Sequence, residues 1–442
     1  MPAQAQISYP DLLESQFDES SMQLGLQPTV LQPTVTSLPA PGISWEGRDE
    51  LTVHTNKGRQ GLLDDLHANG SVLTVRAAMG RSADAPQFIL RQESLGTSIT
   101  DNEGGQAFRA RGRFRQLESR VLWPLPHFRL AYAGYRQTNY NLDGTTHLYD
   151  NIFTIFPSPP HFRFEGREQL VLGGIRVPLS SDWTAEAIVG QKDEPSQLIL
   201  HQDGRATQIT LPFHDAGATG LVAARRRLSD GSALLFYIGG EALRGRASAE
   251  REKARSIGAA ETTHVEQIGG LGWQNLSGGR RSLGVFLETA HDRWQTQGFV
   301  PDPSMLQTGY RLTSDLHYGA RYVIRKDILG ARWSQIYSGR QELHAALQFV
   351  QISLTGNADY DVRYFGLLKT GQTSYRQNRL RAILLRGIYV IPVNQFRFGV
   401  EASQLIPLGV ASSSGGMNSG PDSGPRTTSG GWALNIRLER LF

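Results

Sequence analysis

The residues able to do chemistry are sparse and dispersed. There is no Cys, which removes thiolate nucleophiles, disulfides and Cys-ligated zinc. The histidines, among them His201, His264, His317 and His344, are scattered, and no pair shows the His-Glu-x-x-His spacing of a helical zinc site. His344 falls on a polar strand face, where a lone His is ordinarily solvated. No Gly-x-Ser-x-Gly elbow occurs, and Gly173-Gly174 lacks the Lys that a phosphate-binding loop needs. No nucleophile, base or metal constellation emerges, so no catalytic residue, metal or cofactor is expected. The sharpest local feature is a basic ladder, Arg109, Arg111, Arg113 and Arg115. At that spacing the four side chains share one face of a strand. They would act on anions, by charge rather than by bond-making.

The elements that must carry such a ladder are strands. Phe396, Phe398, Val400 and Ala402 alternate with Arg397, Gly399, Glu401 and Ser403. Phe128, Leu130 and Tyr132 alternate with Arg129, Ala131 and Ala133. Leu343, Ala345, Leu347 and Phe349 alternate with His344, Ala346 and Gln348, and a slip of phase near Val350 suggests a bulge. Period 2 recurs too widely for helices. The chain has 442 residues, 39% of them hydrophobic, and 48 Gly, which suits bends and tight turns between strands. Mean hydropathy is -0.33. No apolar run reaches the ~18 residues of a membrane helix. A barrel escapes that test, because only alternate residues face lipid. The net charge of +4 is spread out, without the basic tract that nucleic-acid binding would need.

The end of the chain fits the same reading. Trp432, Leu434, Ile436, Leu438 and Phe442 occupy one parity, broken only by Arg440, while Asn435, Arg437 and Glu439 occupy the other. This ending resembles the C-terminal signal of Gram-negative outer-membrane proteins, in which a final Phe follows alternating apolar residues. It departs where that superfamily often has an aromatic two residues before the end, the position of Arg440. The resemblance covers only this last strand. It implies an antiparallel transmembrane β-barrel closed by that strand, placed in the outer membrane by the barrel-assembly machinery and surrounded by lipid and lipopolysaccharide. Barrel enzymes of the outer-membrane phospholipase type carry a His-x-Ser-Asn-Gly-like stretch, which is absent here.

The expected organisation is a tail and a barrel. Residues 1–42 hold Ala3-Gln4-Ala5, which fits a signal-peptidase site with maturation near Gln6, and the duplication Leu26–Val30, Leu31–Val35 followed by Pro39 and Pro41. Pro at that density predicts an extended periplasmic tail or a small plug. Residues 43–442 are the barrel. Counting back from Phe442, 392–394, 356–359, 325–327, 277–279, 229–231, 203–204 and 180–182 are expected as periplasmic turns. The stretches 411–430, 371–377, 301–303, 244–261 and 139–160 are expected outside. That scheme places 16 strands after about residue 126 and up to four more between about 43 and 118, unless 196–202 and 206–212 form a hairpin within a loop. The expected total is about 16 to 18, with outer bounds of about 14 to 20.

Lipid exposure of four Arg near the midplane would cost roughly 2–4 kcal/mol each. The ladder is therefore expected to face the lumen, with Phe108 and Phe114 toward lipid. Arg129, Arg397 and Arg437 have the same phase, and Glu401 and Glu439 could brace them. A basic lumen points to a channel for passive or facilitated passage of small polar, anionic solutes. The alternative is a receptor or adhesin working through its outer loops. A soluble secreted β-rich binding protein comes third.

Overall fold

A computed structural model of the chain describes Leu26, sixteen strands and several of their connections, among them 126–127, 179–182 and 228–231. The strands are β1 (Ile43–Thr55), β2 (Asp65–Ala78), β3 (Gln87–Glu103), β4 (Gln106–Leu125), β5 (Arg129–Thr145), β6 (His161–Pro178), β7 (Trp183–His201), β8 (Gln208–Arg227), β9 (Ser232–Arg251), β10 (Arg255–Asn275), β11 (Arg281–Val300), β12 (Ser314–Ile336), β13 (Glu342–Tyr364), β14 (Leu368–Val393), β15 (Phe396–Gly415) and β16 (Gly431–Leu441). Each pairs antiparallel with its neighbours in sequence, and β16 pairs with β1, so the sheet closes on itself. Closure leaves no unpaired edge, the condition a spanning β-structure must meet in lipid.

The two faces are chemically opposite. Val171, Val189, Val222, Ile238, Leu287, Leu329 and Leu347 are each at least half exposed, on the convex side. The alternate residues are buried, and beside apolar ones such as Leu170 and Leu235 they include Glu186, Lys192, Glu241, His264, Glu266, Glu288 and Arg332. An apolar outer band around an interior rich in charge is the inverse of a soluble barrel and the pattern of a membrane one.

Tight turns gather at one end. The turn 228–231 is closed by the Leu228 amide on the Ser232 carbonyl at 2.8 Å and by Gly231 at φ 82°. Asp230 accepts from the Ser232 amide at 2.9 Å and the Ser232 hydroxyl at 2.6 Å. Those bonds hold its carboxyl below the usual range. The start of β1 and the end of β16 lie at this same end, and in outer-membrane barrels the end with short turns is the periplasmic one.

The expected turns at 180–182 and 229–231 fall between strands at this end; 277–279 and Asn394 lie outside the described residues, and Pro392 and Val393 belong to β14. Others are corrected. Residues 325–327 lie inside β12, 356–359 inside β13 and 371–377 inside β14. These strands run to 23 or 26 residues, well past the membrane, so the polar outer ends at 356–359 and 371–377 read as turn and loop in sequence, whereas 325–327 is a charged stretch in the middle of β12. Residues 203–204 lie outside the described residues, and 196–201 and 208–212 are the outer ends of β7 and β8. Much of 244–261 is likewise strand. No register shift occurs at Val350; the irregularity lies between Arg381 and Ala382 on β14, opposite Gly409 and Pro407. Four strands precede residue 126, as expected at most, but twelve rather than sixteen follow it, so the described residues form sixteen strands in all.

Inward aromatics lie over inward glycines on the next strand. A Cβ on Gly174 would collide with the Tyr132 ring, and one on Gly330 with the Phe286 ring. Glycine is needed there for close approach.

Candidate functional site: the inner wall

The interior carries a continuous chain of charge across seven adjacent strands. Arg136 on β5 meets Glu168 on β6 at 2.5 Å. Lys192 on β7 stands 3.3 Å from Glu168 and 3.2 Å from Glu241 on β9. His264 on β10 places Nδ1 3.4 Å from Glu241 and Nε2 2.7 Å from Asp292 on β11. Contacts that skip a strand, such as Lys192 to Glu241, form only where the wall curves inward. The phase of the interior is thereby fixed.

Around this chain, Tyr132 donates to Glu186 at 2.5 Å and Tyr140 to Glu194 at 2.8 Å. Thr262 donates to Asp215 at 2.6 Å. A second cluster lies on β13–β15: Arg397 pairs with Glu342, Arg386 pairs with Glu401, and His344 Nε2 is 3.2 Å from Glu342. Carboxylates are as prominent as guanidinium groups, so the wall is a network of both signs rather than a basic surface.

Leu26 is the one described residue of the N-terminal segment. It is fully buried and belongs to an apolar cluster with Tyr132, Leu170, Leu172, Ile188 and Leu221. These residues share the inward phase of β5 through β8. Leu26 is thus lodged inside the barrel.

The arginine ladder is a correction. Arg111, Arg113 and Arg115 are exposed and share the parity of Leu117 and Trp123, themselves exposed. Glu118 and Arg120, on the other parity, are buried. The ladder therefore faces outward, and Phe114 takes the inward phase. Arg115 pairs in register with Asn139, which pairs with Arg167; Arg111 pairs with Asp143, which pairs with Arg163. These rows lie on the loop side of the outer band that holds Trp123 and Ile175. The midplane penalty does not apply there, because the cost of Arg falls to about 0–1 kcal/mol near the interface.

Arg129 is also exposed, at the first position of β5, whereas Leu130 and Tyr132 are buried. Its expected phase is corrected too. His344 is buried rather than solvated. Arg397 and Glu401 are buried on the inward parity between exposed Phe396 and Phe398. In register, Arg437 stands opposite Gly399 and Glu439 opposite Arg397. Ile436 is exposed and Leu434 half-buried. Phe442 and the side chains of Phe108, Arg109, Trp432, Arg437, Leu438 and Glu439 lie outside the described residues.

One grouping escaped the sequence reading. Glu241, His264 and Glu266, all buried, bring three potential ligand atoms within 4.8 Å of one another. His264 and Glu266, two apart on a strand, were the available signal; Glu241 comes from the neighbouring strand and gives none.

No protein-family model matches the chain, and no curated protein matches it in sequence. Several solved barrels are similar in outline. The ferric yersiniabactin uptake receptor of Yersinia pestis is 8% identical, with 92% of this chain and 81% of that one covered at a TM-score of 0.38. The toluene transporter of Pseudomonas putida is 10% identical, with 92% and 91% covered at 0.40. The assignment of this chain as an outer-membrane-type β-barrel rests on its closed ladder and its two faces.

Proposed function

We propose that the chain is an outer-membrane transport barrel for small polar solutes whose interior is closed to free diffusion by its own N-terminal segment. The burial of Leu26 among inward residues of β5 to β8 carries this reading. An open porin would leave those apolar side chains facing water. The interlocked charges of the inner wall add support, since side chains engaged with one another present few free charges to a passing anion. Passage then requires displacement of the segment around Leu26, which favours a gated transporter or receptor over a passive pore. The measurement is swelling of proteoliposomes in an uncharged sugar. Wild-type chain should admit the sugar slowly and Leu26→Asp faster, because a carboxylate cannot remain in that cluster unpaired. Equal rates would refute the plug.

The outward arginines have a separate role in this proposal. Arg111, Arg113, Arg115 and Arg167 sit where the outer leaflet's headgroups begin. Guanidinium groups bind phosphate bidentately, so these rows suit the phosphates of lipopolysaccharide. The closing strand β16, with Leu434 and Ile436 on one parity and its terminal Phe442, would be the segment that the barrel-assembly machinery engages.

A further inference from the structure

We infer that Glu241, His264 and Glu266 form a binding site for a divalent transition-metal ion of the Zn2+ type on the inner wall. The inference stands on the wall's geometry and holds whether or not the barrel transports.

The histidine is oriented as a metal ligand is. Its Nε2 lies 2.7 Å from Asp292 Oδ1, and Trp294 Nε1 donates to Asp292 Oδ2 at 2.7 Å. The Trp294 ring stacks on the imidazole, centroids 4.0 Å apart and planes 18° apart. Assigning the Nε2 proton to the Asp292 contact leaves the Nδ1 lone pair aimed at Glu241. That places two acceptors, Nδ1 and Glu241 Oε1, 3.4 Å apart with no proton between them. A carboxylate beside the far nitrogen of a ligating His is a recurrent outer-shell arrangement. Here Nε2 and Oδ1 are close but not aligned as a hydrogen bond, so the ring is placed by proximity and by the Trp294 stack.

Glu266 supplies an independent indication. It is 6% exposed, within 4.8 Å of both partners, and makes no hydrogen bond or ion pair among the described residues. A buried carboxylate left unpaired is costly, and a dication facing it removes the cost. Lys192 donates to both oxygens of Glu241, to Oε2 at 3.2 Å and to Oε1 at 3.4 Å, and also holds Glu168, so it steadies the carboxylate whose Oε1 lies beside His264. Metal bonds of about 2.0–2.2 Å in tetrahedral geometry set ligand atoms about 3.3–3.6 Å apart, which matches the Nδ1–Oε1 spacing. Two carboxylates and one imidazole leave a fourth position for water or a passing ligand.

The test uses the full chain, folded in detergent and stripped with a chelator, titrated with Co2+. The expected result is one Co2+ per chain, with the strong visible absorption of a tetrahedral centre, displaced by Zn2+. Glu266→Gln and His264→Gln should each weaken binding more than tenfold. Asp292→Asn should weaken it by about 10–100-fold. Val222→Ala, on the outer face, should bind as wild type. Heat-shifted gel mobility checks that each variant is a folded barrel, and wild-type uptake tests the site even where a variant fails to fold. Absence of Co2+ and Zn2+ uptake by the wild type, or unaltered binding by folded Glu266→Gln, would overturn the site. The cluster would then be a proton-sharing group, with His264 as an imidazolium between Glu241 and Asp292.

Discussion

Lys192 of β7 reaches across β8 to Glu241 of β9, with Nζ 3.2 Å from Oε2, and both side chains are about 5% exposed. A bridge over an intervening strand is short only on the concave side of a sheet. The pair thus identifies the interior and shows that the interior is filled by mutual contact at this level. Replacing Lys192 by Met keeps length and apolar stem but strands Glu241 and Glu168. Breaking one partner of a buried pair costs about 3–5 kcal/mol. The variant's unfolding midpoint in urea, measured in detergent or bilayer, should fall accordingly, and Lys192→Met/Glu241→Gln should recover part of the loss. An unchanged midpoint would mean that the pair is water-exposed.

The outward arginines separate two phases of β4. If Arg111, Arg113 and Arg115 face headgroups, changing all three to Gln should lower the amount of lipopolysaccharide that co-purifies. The effect should be larger at low salt, since a Debye length of about 10 Å at 0.1 M already screens exposed charge. Ion selectivity, read in bilayers on chains lacking residues 1–42 so that the lumen conducts, should be the same with and without the three substitutions. A shift in selectivity with lipopolysaccharide retention intact would return the ladder to the lumen.

The glycine at 174 is a packing requirement. In Gly174→Ala the added methyl meets the Tyr132 ring, which is itself tied to Glu186. Overpacking of this kind costs about 1–3 kcal/mol. Gly173, whose Cβ would meet nothing closer than 3.9 Å, should accept Ala with much less loss. Comparing the two variants' unfolding midpoints isolates the aromatic contact from the intrinsic effect of losing a glycine.

Much of the barrel was legible because one parity of each strand is apolar. Arg397 and Glu401 were placed on the inward phase that way, between exposed Phe396 and Phe398. The phase failed where the apolar residues lie inside. Leu130 and Tyr132 pack around Leu26, and no period-2 rule distinguishes a lipid-facing Leu from one facing a plug. The ladder failed for a different reason: the charge penalty depends on depth, and depth is not encoded in alternation. Turns at 356–359 and 371–377 were misread because the strands extend beyond the membrane as a polar sheet. The cluster of Glu241, His264 and Glu266 depended on the register between β9 and β10, where His264 stands opposite Leu243 and Glu266 opposite Glu241. Nothing local in the sequence states that register.

Closure of the lumen is the central claim, and single-channel recording in planar bilayers tests it most directly. The full chain and a chain lacking residues 1–42 are compared under symmetrical salt. The account predicts small or absent steady conductance for the full chain and a large, stable conductance once the segment carrying Leu26 is removed. Leu26→Asp should give intermittent openings between the two. A large, steady conductance from the full chain, unaltered by the deletion, would contradict it.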